Sequence, residues 1–159
     1  MSSQVLTRQA SPALDAFVGL LRGHAAVTRE LSAELQDEHG LTLNDYEALL
    51  RLSKAEQNAM RRVDLASELL LTASGVTRLL DGLEKAGLVE KGACETDARV
   101  TYAVLKPAGK ERLREASRSH LAQIRRFMKG RFSDEELETL AELLGRLSGE
   151  IDAGECAAD

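Results

Sequence analysis

The residues with the most chemistry to offer lie in one stretch of the chain, 72–89, TASGVTRLLDGLEKAGLV. Val76, Leu79, Leu80, Leu83 and Ala86 recur at helical spacing, which predicts an amphipathic helix with that stripe against a core. Ser74, Gly75, Thr77 and Arg78 fill its first turns with small, hydroxyl-bearing and cationic groups. Thr72 or Ser74 can cap its start, and Gly87 stands where a left-handed residue ends a helix. A helix whose exposed N-terminal end is small and hydrogen-bonding suits close approach to base edges and phosphates in a major groove. Ser74, Thr77 and Arg78 are therefore expected to face the groove, with Arg78 either bonding a guanine edge or clamping a phosphate. Thr72, Arg61, Arg62 and Lys91 are placed for backbone contacts that set register without reading sequence. Taken alone, the same stretch is equally an ordinary surface helix.

The flanking segments shift that balance. Residues 61–70, RRVDLASELL, predict a short helix with Val63, Leu65, Ala66 and Leu69 turned inward, joined to the next helix by Leu71 and Thr72. A short strand is expected around Leu88–Lys91, then a polar loop, then a second strand near Val100–Val104. Helix, turn, helix and hairpin make a winged helix-turn-helix. The run Leu79-Leu80-Asp81-x-Leu83-Glu84-Lys85-x-Gly87-Leu88-Val89, with Asp97-x-Arg99, Val104-Leu105 and Gly109, resembles the MarR family of bacterial transcription regulators. The likeness extends through the helices on either side and covers nearly the whole chain.

The resemblance implies a dimer that binds a pseudo-palindromic operator in double-stranded DNA and is released by a small-molecule effector, often aromatic or phenolic. That ligand would sit between the DNA-binding lobes and the dimer helices; His24, Tyr46 and Arg51 are candidates to line such a cleft, although each also suits a core edge or surface role. In relatives with the Asp-x-Arg pattern the arginine enters the minor groove and the aspartate braces it, roles that fall here on Arg99 and Asp97. A narrow minor groove concentrates negative potential and attracts a guanidinium. The bland alternative is a surface ion pair that stiffens a hairpin and contributes little. The chain departs from the family at three places: Ala98 and Gly82 stand where arginine is usual, and Leu70 occupies a turn position where glycine is common.

Composition agrees with a mainly α fold carrying a small β-hairpin wing, flanked by long dimerisation helices. The 159 residues suit one domain; aromatics are 3%, Trp is absent and Pro occurs twice. Within 1–159, residues 11–56 read as N-terminal support helices, 57–105 as the DNA-binding lobe and 106–151 as C-terminal dimerisation helices. The net charge of −5 opposes DNA binding as a whole but not by segment. Residues 51–131 hold 17 Lys and Arg against 10 acids, whereas 132–159 hold 1 against 9. No apolar run is long enough to span a membrane, and MSSQVLTRQASP lacks a signal-peptide layout, so a cytoplasmic protein is expected.

Ser11-Pro12 predicts a capped helix start running to His39 with Gly40 as its stop, lined by Leu14, Phe17, Val18, Leu21, Ala25, Leu31 and Leu35. Thr42-x-x-Asp45 predicts a capping box for a helix to about Ala55, with Tyr46, Leu49, Leu50 and Leu52 inward. Lys106-Pro107 opens a helix to Lys129, with Leu113, Leu121, Ile124 and Met128 inward. Ser133-Asp134-Glu135-Glu136 caps a last helix striped by Leu137, Leu140, Leu144, Leu147 and Ile151. The terminal helices cannot hide these faces on the central lobe alone, which favours a homodimer. No phosphate loop, HExxH or nucleophile–base pair is present, so no catalytic residue, cofactor or resident metal is expected. Cys94 and Cys156 read as reduced bystanders. The alternative function is a winged-helix protein-interaction module, which salt-insensitive or absent DNA binding would reveal.

Overall fold

The structure, a computed structural model, describes residues 11–93 and 100–148. It divides into two compact units, Met1–Ser117 and Arg118–Asp159. The first unit holds the sheet and the interior core, and the second holds the latter part of a long helix and the helix that follows.

Helix α1 (Pro12–His39) begins at proline, whose missing N–H costs nothing in a first turn. Ser11 occupies the cap position with extended backbone, but its hydroxyl makes no cap bond, contrary to expectation. The end is exposed, so water can serve the free amides there. Gly40, at φ 66, ends the helix as read from the sequence. Leu31 and Leu35 are buried, while Leu14, Phe17, Leu20 and Leu21 stay exposed. Helix α2 (Leu43–Lys54) has the expected capping box: Thr42 Oγ1 accepts from the Asp45 N–H at 3.1 Å, and Asp45 Oδ2 accepts from the Thr42 N–H at 2.9 Å. Tyr46, Ala48, Leu49 and Leu52 are buried along it.

A tight turn, Glu56–Asn58, with Gln57 and Asn58 both in left-handed backbone, leads into a strand that the sequence did not announce. β1 (Ala59–Arg61) is three residues long, too short to show an alternation, and Arg61 pairs with Tyr102 where a helix was expected to begin. Helix α3 (Arg62–Glu68) buries Leu65 and Ala66, and Leu69 follows them inward. Val63 does not: it is 65% exposed, because it lies about 200° around the axis from Leu65.

The turn into the next helix is strained. Leu70 has φ 53 and is 92% exposed, a left-handed leucine that buries nothing. Replacing it with glycine is expected to raise stability by about 1 kcal/mol, measured by chemical denaturation, by relieving a Cβ clash that no packing offsets.

Helix α4 (Ala73–Lys85) buries Val76, Leu80 and Leu83, with Leu79 packed at the core edge. Ala86, assigned to the same stripe from the sequence, lies just past the helix and is exposed, because the chain turns away there. Gly87, at φ 73, makes that turn and lets the buried Leu88 donate its N–H to the Leu83 carbonyl at 2.9 Å.

β2 (Val89–Ala93) and β3 (Thr101–Leu105) form the hairpin, and the sheet order is β1-β3-β2, antiparallel throughout. α5 (Pro107–Lys129) starts and ends where expected. Leu113 is buried as expected, but the stripe continues through Ala116, His120, Gln123 and Phe127, at spacings of three and four. Leu121 is 47% exposed, and Ile124 and Met128 are only half-buried. An apolar stripe passes over the buried His120 and Gln123 and so marks a neighbouring face. α6 (Asp134–Ser148) carries the Ser133–Glu136 capping box. Leu144 and Leu147 of its stripe are exposed, and Ile151 lies outside the described residues.

The observed order of helix, helix, strand, helix, helix and hairpin matches the mainly α, winged helix-turn-helix fold read from the sequence. Among the described residues no helix is long and apolar enough to cross a membrane.

Candidate nucleic-acid interface

The buried stripe of α4 fixes which side of the helix meets solvent. With Val76, Leu80 and Leu83 in the core, Ser74, Arg78, Gly82 and Lys85 are all exposed, spaced along the opposite face. The N-terminal end is shaped by the Thr72 cap. Its Oγ1 accepts from the Gly75 N–H at 3.1 Å and lies 3.2 Å from Ser74 Oγ. A Cβ at position 75 would sit 3.1 Å from that same Oγ1, so glycine leaves the cap its room. Thr77 Oγ1 donates to the Ala73 carbonyl at 2.7 Å, leaving its methyl and oxygen lone pairs for an incoming ligand.

The cations expected at the interface divide by what holds them. Arg78 is exposed and bonds to none of the described residues. Arg62 is half-buried, and its charge is felt by Asp81. Arg61 is held by Asp64, with Nε to Oδ2 at 2.7 Å and Nη2 to Oδ1 at 3.3 Å. Lys91 is held from two sides, its Nζ 2.9 Å from Asp81 Oδ1 and 3.1 Å from Glu84 Oε2. Hydrogen bonds to Asp81 and then Glu84 raise the Lys91 ammonium above its ordinary range, and Lys91 in turn holds Asp81 below the usual carboxylate range. Asp81 and Glu84 drew no attention as single residues in the sequence. Their i, i+3 spacing ahead of a lysine past the Gly87 turn was the available signal. Asp97, Ala98, Arg99 and Cys94 lie outside the described residues.

The effector candidates have different settings. His24 is exposed on α1. Tyr46 is buried, its hydroxyl 3.2 Å from Ser117 Oγ on α5. Arg51 reaches Glu47 and Glu68, each at 3.6 Å, on a face of α2 about 140° around from Tyr46. Arg112 Nη1 donates to the His39 carbonyl at 2.8 Å, placing a cation at the negative end of α1. In the second unit an open groove of about 370 Å³ is lined by Phe132, Glu135, Glu136, Thr139, Leu140 and Leu143. Among the described residues no three His, Cys, Asp or Glu side chains are grouped where they could hold a metal ion.

Residues 39–100, which span α2, β1, α3, α4 and the first strand of the hairpin, match the family model described as MarR family. The HTH-type transcriptional repressor YetL of Bacillus subtilis is 31% identical over 108 residues, 68% of this chain and 64% of that protein, so the match spans a little under two thirds of that relative. The crystal structure of AbsC, a MarR family transcriptional regulator from Streptomyces coelicolor, superposes with a TM-score of 0.78 at 32% identity, covering 91% of this chain and 98% of that one. Sco3205 from the same organism, a MarR family regulator solved in complex with DNA, has the same fold, with a TM-score of 0.78 at 23% identity over 89% of this chain and 88% of that one. With AbsC alike at 32% identity over nearly its full length, the chain belongs to the MarR family of transcriptional regulators.

Proposed function

We propose that this regulator is a homodimer that binds a pseudo-palindromic operator through the N-terminal end of α4, and that it represses until a small-molecule effector releases it. The observation that carries the reading is Arg78, an exposed guanidinium bound to no described residue, set beside the Thr72 and Ser74 hydroxyls at a capped helix start. Such an end presents both charge and short hydrogen-bonding groups to a groove. Thr77 adds a methyl suited to a thymine, and Arg62 a cation for the backbone. Arg99, with Asp97, is assigned to the minor groove by the family pattern.

The dimer is supported by the apolar side chains each unit leaves in solvent: Leu14, Phe17, Leu20 and Leu21 on α1, and Leu143, Leu144 and Leu147 on α6. A two-fold axis would set two copies of α4 one helical turn apart on DNA. Repression is supported by the similarity to a protein named as a repressor. Release follows if an effector prefers a spacing of the two α4 helices that the operator cannot accept.

The engagement of Arg61 and Lys91 by acids favours a second reading, a protein-interaction module, because it removes two cations from the face. Fluorescence anisotropy on labelled duplex from immediately upstream of the gene, at two salt concentrations, separates the readings. Saturable binding that exceeds random duplex, weakens with salt and weakens again in Arg99→Ala is the expected result. Equal binding to every duplex, or none, favours the interaction module. Light scattering should give a mass twice that of the chain, and a monomer would remove the palindrome argument.

A further inference from the structure

Lys91 occupies an unusual place for a cation on a DNA-binding lobe. β2 packs against α4, and alternation along the strand puts Lys91 on the same face as Val89. Val89 is buried in the core at 2% exposure, and Lys91, two residues on, projects past the core edge toward the solvent side of α4. There it meets Asp81 and Glu84, which share one side of α4 at i, i+3. Lys91 also pairs in register with Ala103 of β3, so whatever holds its head group holds the middle of the hairpin ladder. Two further cations, Lys85 and Arg62, act on Asp81, the stronger influence being Lys91.

We propose that Lys91, clasped by Asp81 and Glu84, is a positioning residue that fixes the wing hairpin against the recognition helix and makes no phosphate contact itself. The proposal rests on the DNA-binding reading above for its consequence, but not for its geometry. A wing and a recognition helix that enter neighbouring grooves must keep a fixed angle. The hairpin is anchored at its start by the buried Val89 and along β3 by pairing with β1, and on the α4 side of Lys91 this clasp adds a side-chain tie to the recognition helix. Two carboxylates take two of the three ammonium N–H donors and offset its positive charge, which lowers its attraction for a third anion.

The two roles predict opposite signs. A phosphate-binding Lys91 would be freed, and binding strengthened, by Asp81→Asn with Glu84→Gln, since two negative charges leave the face. A positioning Lys91 would lose its anchors, and binding would weaken roughly threefold to tenfold. Lys91→Gln should weaken binding to the upstream duplex by a similar factor with the slope of log affinity against log salt unchanged. A slope shallower by about 0.9 per lysine removed would instead mark a phosphate contact and overturn the proposal. Lys91→Arg should restore wild-type affinity.

Hydrogen exchange on the free protein reads the clasp without DNA. Amides of Glu90–Ala93 and Thr101–Ala103 are expected to exchange several-fold faster in Lys91→Gln and in the double acid variant, with α1 and α2 unaffected. Unchanged hairpin exchange in both variants overturns the proposal. If the wild-type protein binds no duplex at all, the DNA-binding reading fails, and the exchange experiment still decides whether Lys91 holds the wing.

Discussion

Gly109→Ala is expected to destabilise the protein by about 3 kcal/mol, lowering Tm by about 10 °C, read by chemical denaturation and calorimetry. The added Cβ would lie 2.1 Å from the Leu88 carbonyl oxygen and 2.6 Å from Leu105 Cδ1. Neither neighbour can step aside at low cost. The Leu88 carbonyl accepts from the Lys106 N–H at 3.0 Å, and both leucines are nearly fully buried. Four elements meet at this corner: the end of α4, the start of β2, the end of β3 and the first turn of α5. A methyl there must push the first turn of α5 off the sheet or break the Leu88–Lys106 bond. Interiors this dense do not absorb an extra methyl without moving backbone.

The matched control is Gly82→Ala, which makes the same chemical change on an exposed helical face. A Cβ at Gly82 meets nothing within 4 Å. Glycine inside a helix is less favourable than alanine by about 1 kcal/mol, so Gly82→Ala should stabilise by roughly that amount. Opposite signs for one substitution at two helical glycines would show that space, not helix propensity, governs position 109. Equal effects would refute the packing argument.

Helices longer than three turns were legible because periodicity accumulates over many residues, and their ends were legible where a side chain or glycine acts locally, as at Thr42, Thr72, Ser133, Gly40 and Gly87. β1 was not legible, because three residues pair only by virtue of β3, which lies some forty positions later. The α5 stripe was misplaced because burial there runs through His120 and Gln123, and an apolar template gives polar residues no credit for facing inward. The site was half legible. Residue type marks Ser74, Arg78 and Thr72 as candidates, each of whose settings is local to α4. It could not identify Asp81 and Glu84 as holders of Lys91, because that relation needs the Gly87 turn to fold β2 back along the helix.

The largest expected effect on function belongs to Arg78→Ala. Each Arg78 contact with DNA is expected to supply about 1–3 kcal/mol, and a two-fold dimer loses two, so operator affinity should fall by at least about thirtyfold in the anisotropy assay. Arg61→Ala should change affinity far less, because the carboxylate of Asp64 bound to Arg61 at two points offsets its charge toward a phosphate. A third variant, Arg78→Lys, separates the two contacts Arg78 could make. Lysine keeps the point charge but not the planar fork that bonds two acceptors on guanine. If Arg78 clamps a phosphate, Arg78→Lys should recover most of the affinity, and Arg78→Ala should flatten the salt dependence by about one unit of slope per site. If Arg78 reads a guanine, Arg78→Lys should stay weak on the operator and lose its preference over duplexes altered at that base pair. Loss of no more than twofold in Arg78→Ala would move the centre of recognition away from the start of α4, to Arg62 and the wing.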